Sequence, residues 1–199
     1  MRAVDSITYM ADHEPAPGRL QLVQRFVNTV DHEHGREVLH EPAQLERLLV
    51  ELGLLGADEP VDAADLRRAV EVREALRALA LENNGGAADP DARALLERIA
   101  ADGRLVVRFQ GRDATLAPSV DGVRGAFADL VGIVYTAMAD GTWSRLKACR
   151  RDVCGWLFYD RSRNRSARWC QMAVCGNRTK TRAYRTRARA ARPGRSGRR

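Results

Sequence analysis

Residues 149–178 read CRRDVCGWLFYDRSRNRSARWCQMAVCGNR, and the four cysteines in this stretch decide how the C-terminal part of the chain folds. Their spacing is C-x4-C, fifteen intervening residues and C-x4-C, so each pair can turn its two sulfurs toward a common centre. Structural zinc prefers four ligands at tetrahedral corners, and four protein ligands leave no open position for water or substrate. We therefore predict one structural Zn²⁺ with the ligands Cys149, Cys154, Cys170 and Cys175.

Two other interpretations of the cysteines stay open at this point. Two disulfides fit the spacing, but all four cysteines lie within 27 consecutive residues, and a cytosolic compartment keeps thiols reduced. A redox switch is chemically feasible, because thiolates are the reactive form and neighbouring arginines favour the thiolate. Few large apolar side chains surround the cysteines, so metal binding is expected to supply stability that so small a core lacks.

Charge is divided unevenly along the 199 residues. Residues 144–199 contain 18 Lys and Arg against 2 acids, whereas the preceding residues contain 15 basic and 24 acidic side chains. Such a split is typical of one segment that meets a polyanion and another that forms a conventional folded body. We find no run that resembles a signal peptide or reaches the length of a membrane span, so we expect a soluble, cytoplasmic protein without membrane contact.

The residues before the cysteines are predicted to form a mainly helical domain with a small β-hairpin. Apolar residues recur there at three- and four-residue steps, and β-rich runs flank Gly111 between residues 104 and 118. Pro42, Asp62 and Pro90 are placed to begin helices. The expected inward-facing residues include Leu20, Val23, Val27 and Val30; Leu45, Leu48, Leu49 and Leu52; Ala69, Val72, Leu76 and Leu79; Leu95, Leu96 and Ile99; and Val123, Phe127, Leu130, Val134 and Met138.

We therefore expect two folded parts and a tail. A helical regulatory domain covers residues 1–140, and a small treble-clef-like zinc-binding module with a basic helix covers residues 141–192. Residues 193–199 read PGRSGRR and are predicted to be a disordered basic tail, because they contain no apolar anchor.

The basic residues of the module suggest a nucleic-acid-binding surface. A helix is expected to begin after Cys175, and its arginines recur at steps of four and three, which aligns them on one face. A second arginine group lies between the cysteine pairs, after a short predicted WLFYD strand. Arginine binds phosphate bidentately and pairs with guanine edges. The predicted nucleic-acid-binding residues are Arg161, Arg163, Arg165, Arg168, Arg178, Lys180, Arg182, Arg185 and Arg189.

Double-stranded DNA is the favoured partner. Single-strand binders interleave aromatic residues for base stacking, and Tyr184 is the only aromatic residue on the predicted basic helix. The alternative is an interaction module for RNA or an acidic protein, with the zinc purely architectural. A further alternative is that the arginines are merely solvated, or pair with the acidic N-terminal domain. Asn177 caps the helix start or, alternatively, pairs with adenine.

The stretch from Cys149 to Arg189 resembles the CGNR-type zinc finger, named for the tetrapeptide that here is residues 175–178. All four cysteines, FYDRSRN, the WC dipeptide and CGNR occur in order. The FVNTVD segment, residues 26–31, is similar to the ABATE domain that accompanies this finger. The resemblance implies a stress-induced transcription regulator.

The sequence gives no indication of an active site. It contains no phosphate-binding glycine motif and no nucleophile elbow, so we do not expect an enzyme. We interpret the DHEHGRE segment, with His32 and His34, as a solvated helix end and not as a second metal site. The N-terminal domain is interpreted as a body that binds a small-molecule effector or forms a homodimer. Its candidate ligand-binding residues are Asn28, Thr29 and Asp31; alternatively, Asn28 and Thr29 satisfy a helix end.

Overall fold

The fold is mainly helical. The structure is a computed structural model that describes residues 14–181. Within that range, the part before the cysteines contains five α-helices: α1 (Leu20–Val27), α2 (Pro42–Glu51), α3 (Ala63–Glu82), α4 (Pro90–Asp102) and α5 (Gly122–Ala139). The predicted helical fold class is confirmed.

Local signals set the helix starts that the sequence predicts. The Asp62 carboxylate accepts hydrogen bonds from the backbone N–H groups of Ala64 (2.6 Å) and Asp65 (2.9 Å), and the Asp65 side chain accepts from Asp62 N–H (3.1 Å). This reciprocal capping box satisfies N–H groups that have no partner inside α3. Asp89 caps α4 in a similar way, directly before Pro90.

The described residues also form three two-stranded antiparallel sheets. The predicted hairpin is present as β3 (Val106–Gln110) and β4 (Asp113–Ala117), joined through Gly111 at φ 62°. In the cysteine-containing part, β5 (Leu146–Ala148) pairs with β6 (Leu157–Tyr159), so the strand expected in WLFYD is confirmed.

The sheet formed by β1 (Val30–Asp31) and β2 (Arg36–Glu37) corrects the prediction for the DHEHGRE segment. The sequence predicts a solvated helix end there, but the two ends of the segment lie in β1 and β2, and residues 32–35 form the turn between them. Val30 is buried as predicted, although it lies in a strand and not in α1. Gly35 has φ 63°, a left-handed conformation that glycine adopts without strain and that closes this turn.

Helix α5 lies at the centre of the core. Its Phe127 ring packs against Phe26 of α1, with ring centroids 6.3 Å apart. By length and composition α5 would suffice to cross a membrane, but over half of it is buried inside the protein, as in the core helix of a globular domain. The prediction for Met138 was wrong, because its side chain is 49% exposed near the end of the helix.

The hydrophobic core continues past residue 140. A 3₁₀ turn at Trp143–Arg145 leads into β5, and Trp143, Leu146, Ala148 and Leu157 are buried in the same cluster as the helices. The cysteine-containing part therefore packs directly on the helical body. The domain boundary that the sequence predicts at residue 140 stays a prediction.

Candidate metal centre

The first cysteine pair lies in the turn that connects β5 to β6. Cys149 donates its backbone N–H to the carbonyl of Trp156 (2.9 Å), and Cys154 donates to the carbonyl of Arg151 (2.8 Å). Gly155 completes the turn at φ 61°, where other residues would be strained. The strand pairing thus fixes the backbone from which both thiols project.

The second cysteine pair lies at the start of a helix. Cys170 precedes a π-helical turn, Met172–Gly176, that contains Cys175, and α-helical residues 177–181 follow directly. Cys175 donates its N–H to the carbonyl of Gln171 (2.9 Å). A hairpin turn with two cysteines and a helix start with two more give the treble-clef-like arrangement that the sequence predicts.

The four sulfurs converge on one point. Their Sγ atoms all lie within 4.8 Å of one another, and Cys170 Sγ is 3.7 Å from both Cys154 Sγ and Cys175 Sγ. Zinc–thiolate bonds of about 2.3 Å in a tetrahedron imply sulfur–sulfur distances of about 3.8 Å. The four thiols are free, and Trp156 and Trp169 pack beside them. The sulfur cluster therefore has the dimensions of a tetrahedral zinc site.

The thiols perturb one another's ionisation at these distances. Hydrogen bonds from the thiols of Cys154 and Cys170 lower the pKa of Cys149 to about 2. The same contact with Cys149 raises the pKa of Cys154 to about 12, and contacts with Cys149 and Cys154 raise the pKa of Cys170. One thiolate is thus favoured at neutral pH, but further thiolates repel it. A divalent cation at the centre would remove this repulsion.

The module is held on the helical body by the side chain of Asn28. Its amide nitrogen donates to the carbonyl of Leu157 (2.9 Å), and its amide oxygen accepts from the Leu157 N–H (2.8 Å). Asn28 thereby pairs with β6 as a neighbouring strand residue would. Its position in the FVNTVD segment gives that segment a structural role.

Two asparagines directly after α3 donate to backbone carbonyls of the 3₁₀ turn, of β5 and of the loop after β6. Asn83 donates to the carbonyls of Trp143 (2.8 Å) and Leu146 (2.9 Å), and Asn84 donates to those of Ala148 (2.7 Å) and Arg168 (2.9 Å). Neither residue is among the predicted functional residues. The sequence does carry a signal for these contacts, which is the pair of primary amides beside a helix end. Such amides can donate to backbone carbonyls that have no other partner.

A buried ion pair organises the arginine-rich loop. Lys147 Nζ lies 2.7 Å from Asp160 Oδ2 and also donates to the carbonyl of Arg165 (2.6 Å). Burial raises the pKa of Asp160, but the hydrogen bonds from Lys147 and Ser162 outweigh this and lower it. Asp160 also accepts from the backbone N–H of Ala167 (3.0 Å). These contacts fix the path of residues 160–168 between the cysteine pairs.

The predicted nucleic-acid-binding residues fall into three groups. The first group is exposed and forms no ion pair within residues 14–181; it consists of Arg163, Arg165, Arg168 and Lys180. Arg161 pairs with Glu14 (2.5 Å) and stacks over the Tyr159 ring, and Arg178 pairs with Glu33. Arg182, Arg185 and Arg189 lie outside the described residues, as does the predicted tail. Asn177 donates its side-chain amide to the carbonyl of Ala173 (3.1 Å).

The predicted ligand-binding residues have partners within the protein. Besides the contacts of Asn28, Thr29 Oγ1 donates to the carbonyl of Phe26 (2.9 Å) and accepts from Arg73 (3.2 Å). Asp31 accepts from the N–H groups of Glu33 and His34 and contacts the His34 ring. An effector at these groups would have to replace these hydrogen bonds.

Replacement of Asn28 by Ala is expected to lower the free energy of unfolding by about 2–3 kcal/mol, because the buried Leu157 N–H would lose its acceptor and the Leu157 carbonyl would keep only the longer hydrogen bond from the Gln24 amide (3.4 Å). Chemical denaturation checks this. Asn164→Ala is the control, since Asn164 is exposed on the arginine-rich loop. Equal unfolding free energies for the two variants would contradict the docking role of Asn28.

Comparison with known families gives two matches. The model described as "Putative stress-induced transcription regulator", ABATE, matches residues 20–142, and the CGNR zinc finger model matches residues 145–188. No curated protein matches the chain. Together with the sulfur geometry, the second match indicates that the cysteine cluster binds zinc.

Proposed function

The chain belongs to the ABATE family and carries a C-terminal CGNR zinc finger, and from this premise we propose that it is a DNA-binding transcriptional regulator. It would act in the cytoplasm and without catalysis. The observation that carries the proposal is the group of exposed arginines on a loop that is fixed beside the metal centre.

One structural Zn²⁺ is part of the proposal. Cys149, Cys154, Cys170 and Cys175 would hold it, and when bound it supplies a cross-link between the β5–β6 turn and the start of the helix. The helical residues 177–181 begin two positions after the last ligand. The direction of any basic helix that continues from them is therefore tied to the metal.

The electrostatics of the loop support binding of a polyanion. Arg163, Arg165 and Arg168 are exposed, and no carboxylate in residues 14–181 forms an ion pair with them. Since the region from residue 144 onward contains 18 basic and 2 acidic residues, its own acids cannot neutralise it. Phosphate contacts by such side chains release counterions and give an affinity that depends steeply on salt.

Duplex DNA is favoured over single-stranded RNA. Single-strand recognition uses exposed aromatic rings on which bases stack. Trp156 and Phe158 are buried in the module, and the Tyr159 ring is half-buried beneath Arg161. RNA or an acidic protein is the alternative partner, and the same titrations distinguish these outcomes.

Salt-dependent titration tests the proposal. The full-length, zinc-loaded protein is expected to bind a labelled duplex more tightly than a labelled RNA or an acidic polypeptide. The double variant Arg163→Ala/Arg168→Ala should weaken duplex binding and reduce the slope of log K against log salt by about 1–2. Fluorescence anisotropy at several salt concentrations measures both quantities.

Arg124→Ala is the matched control, because Arg124 is exposed on α5 of the body. It should leave the salt slope unchanged. The proposal fails if the wild-type protein has no affinity for duplex DNA at low salt.

We propose that the body binds a small-molecule effector. We also propose that two copies of the chain form a homodimer through the body. A cavity of about 280 Å³ between the start of α1, β4 and α5 supports an effector site. Leu20, Leu116 and Ile133 form apolar walls, with Thr136 and Asp140 at polar positions. Small-molecule sites usually combine apolar walls with a few polar groups in this way.

A further inference from the structure

The turn between β1 and β2 reaches from the body to the metal centre. Its Glu33 carboxylate forms ion pairs with two arginines of the zinc module, Arg151 (2.6 Å) and Arg178. The Glu33 and Arg151 side chains are 17% and 18% exposed, whereas Arg178 is 57% exposed. One carboxylate thus lies between two guanidinium groups at the boundary of body and module.

The body holds Glu33 in this place. The Asp31 carboxylate accepts from the backbone N–H of Glu33 (3.0 Å), which shapes the turn. Arg73, buried in α3, donates two hydrogen bonds to Glu37 of β2 (2.7 and 2.8 Å). These bonds anchor the β1–β2 hairpin to α3. Glu33 is therefore fixed by the hairpin.

The two arginines are positioned by the metal centre. Arg151 lies between the first two cysteines in sequence, and its guanidinium is 3.9 Å from Cys175 Sγ. Arg178 ends the CGNR tetrapeptide and belongs to the helical residues that follow Cys175. Both guanidinium groups are thus directed at one point by backbone that the cysteines organise.

Two guanidinium groups around one oxyanion form the arrangement that proteins use to bind phosphate. We propose that Arg151 and Arg178 form a binding site for a backbone phosphate of duplex DNA, and that Glu33 occupies this site in the free protein as an intramolecular competitor. The inference rests on the proposed DNA binding and adds Arg151 to its contact surface.

The charges and exposure fit such a competition. The hydrogen bond from Arg151 lowers the pKa of Glu33, so its carboxylate carries the same single negative charge as a phosphodiester at neutral pH. Arg178 is the exposed partner in this contact, and exposed ion pairs are weak, so a ligand with several other phosphate contacts can displace Glu33 from Arg178 first and then from Arg151. Removal of the Glu33 charge should therefore strengthen DNA binding.

The experiment compares wild-type protein with Glu33→Gln by anisotropy titration of a labelled duplex, using full-length, zinc-loaded protein at one salt concentration. Glu33→Gln is expected to bind about three- to tenfold more tightly. Glu51→Gln is the matched control, because Glu51 pairs with Arg25 on the body. A smaller gain is expected from it, since it changes net charge equally but frees no arginine of the module.

A double-mutant cycle identifies the arginines involved. In a protein that carries Arg151→Gln and Arg178→Gln, the added change Glu33→Gln should give no more than the small gain of Glu51→Gln. The inference is overturned if the full gain of Glu33→Gln persists in this background, or if Glu33→Gln in the wild-type background gains no more than Glu51→Gln, because net charge alone would then explain the effect.

The remaining outcomes separate this inference from the proposed function. Duplex binding that is equal in wild-type and Glu33→Gln protein overturns the competition while DNA binding stands. No duplex binding by either protein overturns the proposed function itself. Zinc content is measured for every sample, with Glu33→Ala as a second variant. If both Glu33 variants lose zinc, Glu33 is a structural support of the metal centre, and the inference is wrong.

Discussion

Replacement of Cys170 by Ser is expected to abolish zinc retention and to unfold the segments that the metal cross-links, which are the β5–β6 turn and the helix start after Cys170. Serine is a poor zinc ligand, and three thiolates without the fourth leave the tetrahedral site incomplete. Zinc supplies on the order of 10 kcal/mol to the folding of small zinc domains, more than the few apolar side chains around the sulfurs can replace. Elemental analysis and thermal unfolding of the purified, reduced protein measure the two effects.

Met172→Leu is the matched control for this prediction. It removes a sulfur atom from the same segment and keeps the side-chain size, but Met172 is not part of the cysteine cluster and is half exposed. Zinc content should therefore stay at the wild-type level. A Cys170→Ser protein with full zinc content and an unchanged melting temperature would refute a structural metal at this centre.

Replacement of Asp160 by Ala is expected to lower the free energy of unfolding by about 3–5 kcal/mol, because it leaves the buried Lys147 ammonium without its carboxylate. The Asp160 side chain is 0% exposed and that of Lys147 is 6% exposed, so the ammonium group would stay shielded from bulk water after its partner is lost. The N–H of Ala167 also loses its acceptor. Denaturant titration gives the free energy, and zinc analysis shows whether the metal centre survives.

Asp152→Ala serves as the control, since Asp152 is an exposed carboxylate between the first two cysteines. Its unfolding free energy should change by less than about 0.5 kcal/mol. The single variant Lys147→Met should also destabilise the protein, and its combination with Asp160→Ala should cost less than the two changes added together. Strict additivity would mean that the two side chains do not act as a pair.

The helices, the β3–β4 hairpin and the cysteine cluster were predictable because their signals are local. Asp62 caps the helix that begins at the next residue, and the cysteine spacing specifies a metal site without knowledge of the fold. By contrast, the two-residue strands of the β1–β2 hairpin are too short to show an alternating pattern. Their charged turn therefore resembled an exposed helix end.

The contacts between body and module could not be read from the sequence. Asn28 and its partner Leu157 are separated by 129 positions, and Glu33 and Arg178 by 145. Charge and polarity reveal that such residues prefer a partner, but only the packing of the helices determines which one they meet. Arg151 is absent from the predicted arginine surface for the same reason, because nothing in the sequence distinguishes it from the neighbouring arginines.

The shared core around Leu157 limits how this zinc finger can be moved between proteins. A fragment cut before β5 would expose Leu146, Ala148 and Leu157 to water and would strip the amide partners from their backbone. A chimaera that grafts this finger onto another ABATE body must therefore supply asparagines at the positions of Asn28, Asn83 and Asn84. Body and finger of this chain therefore have to be transferred together.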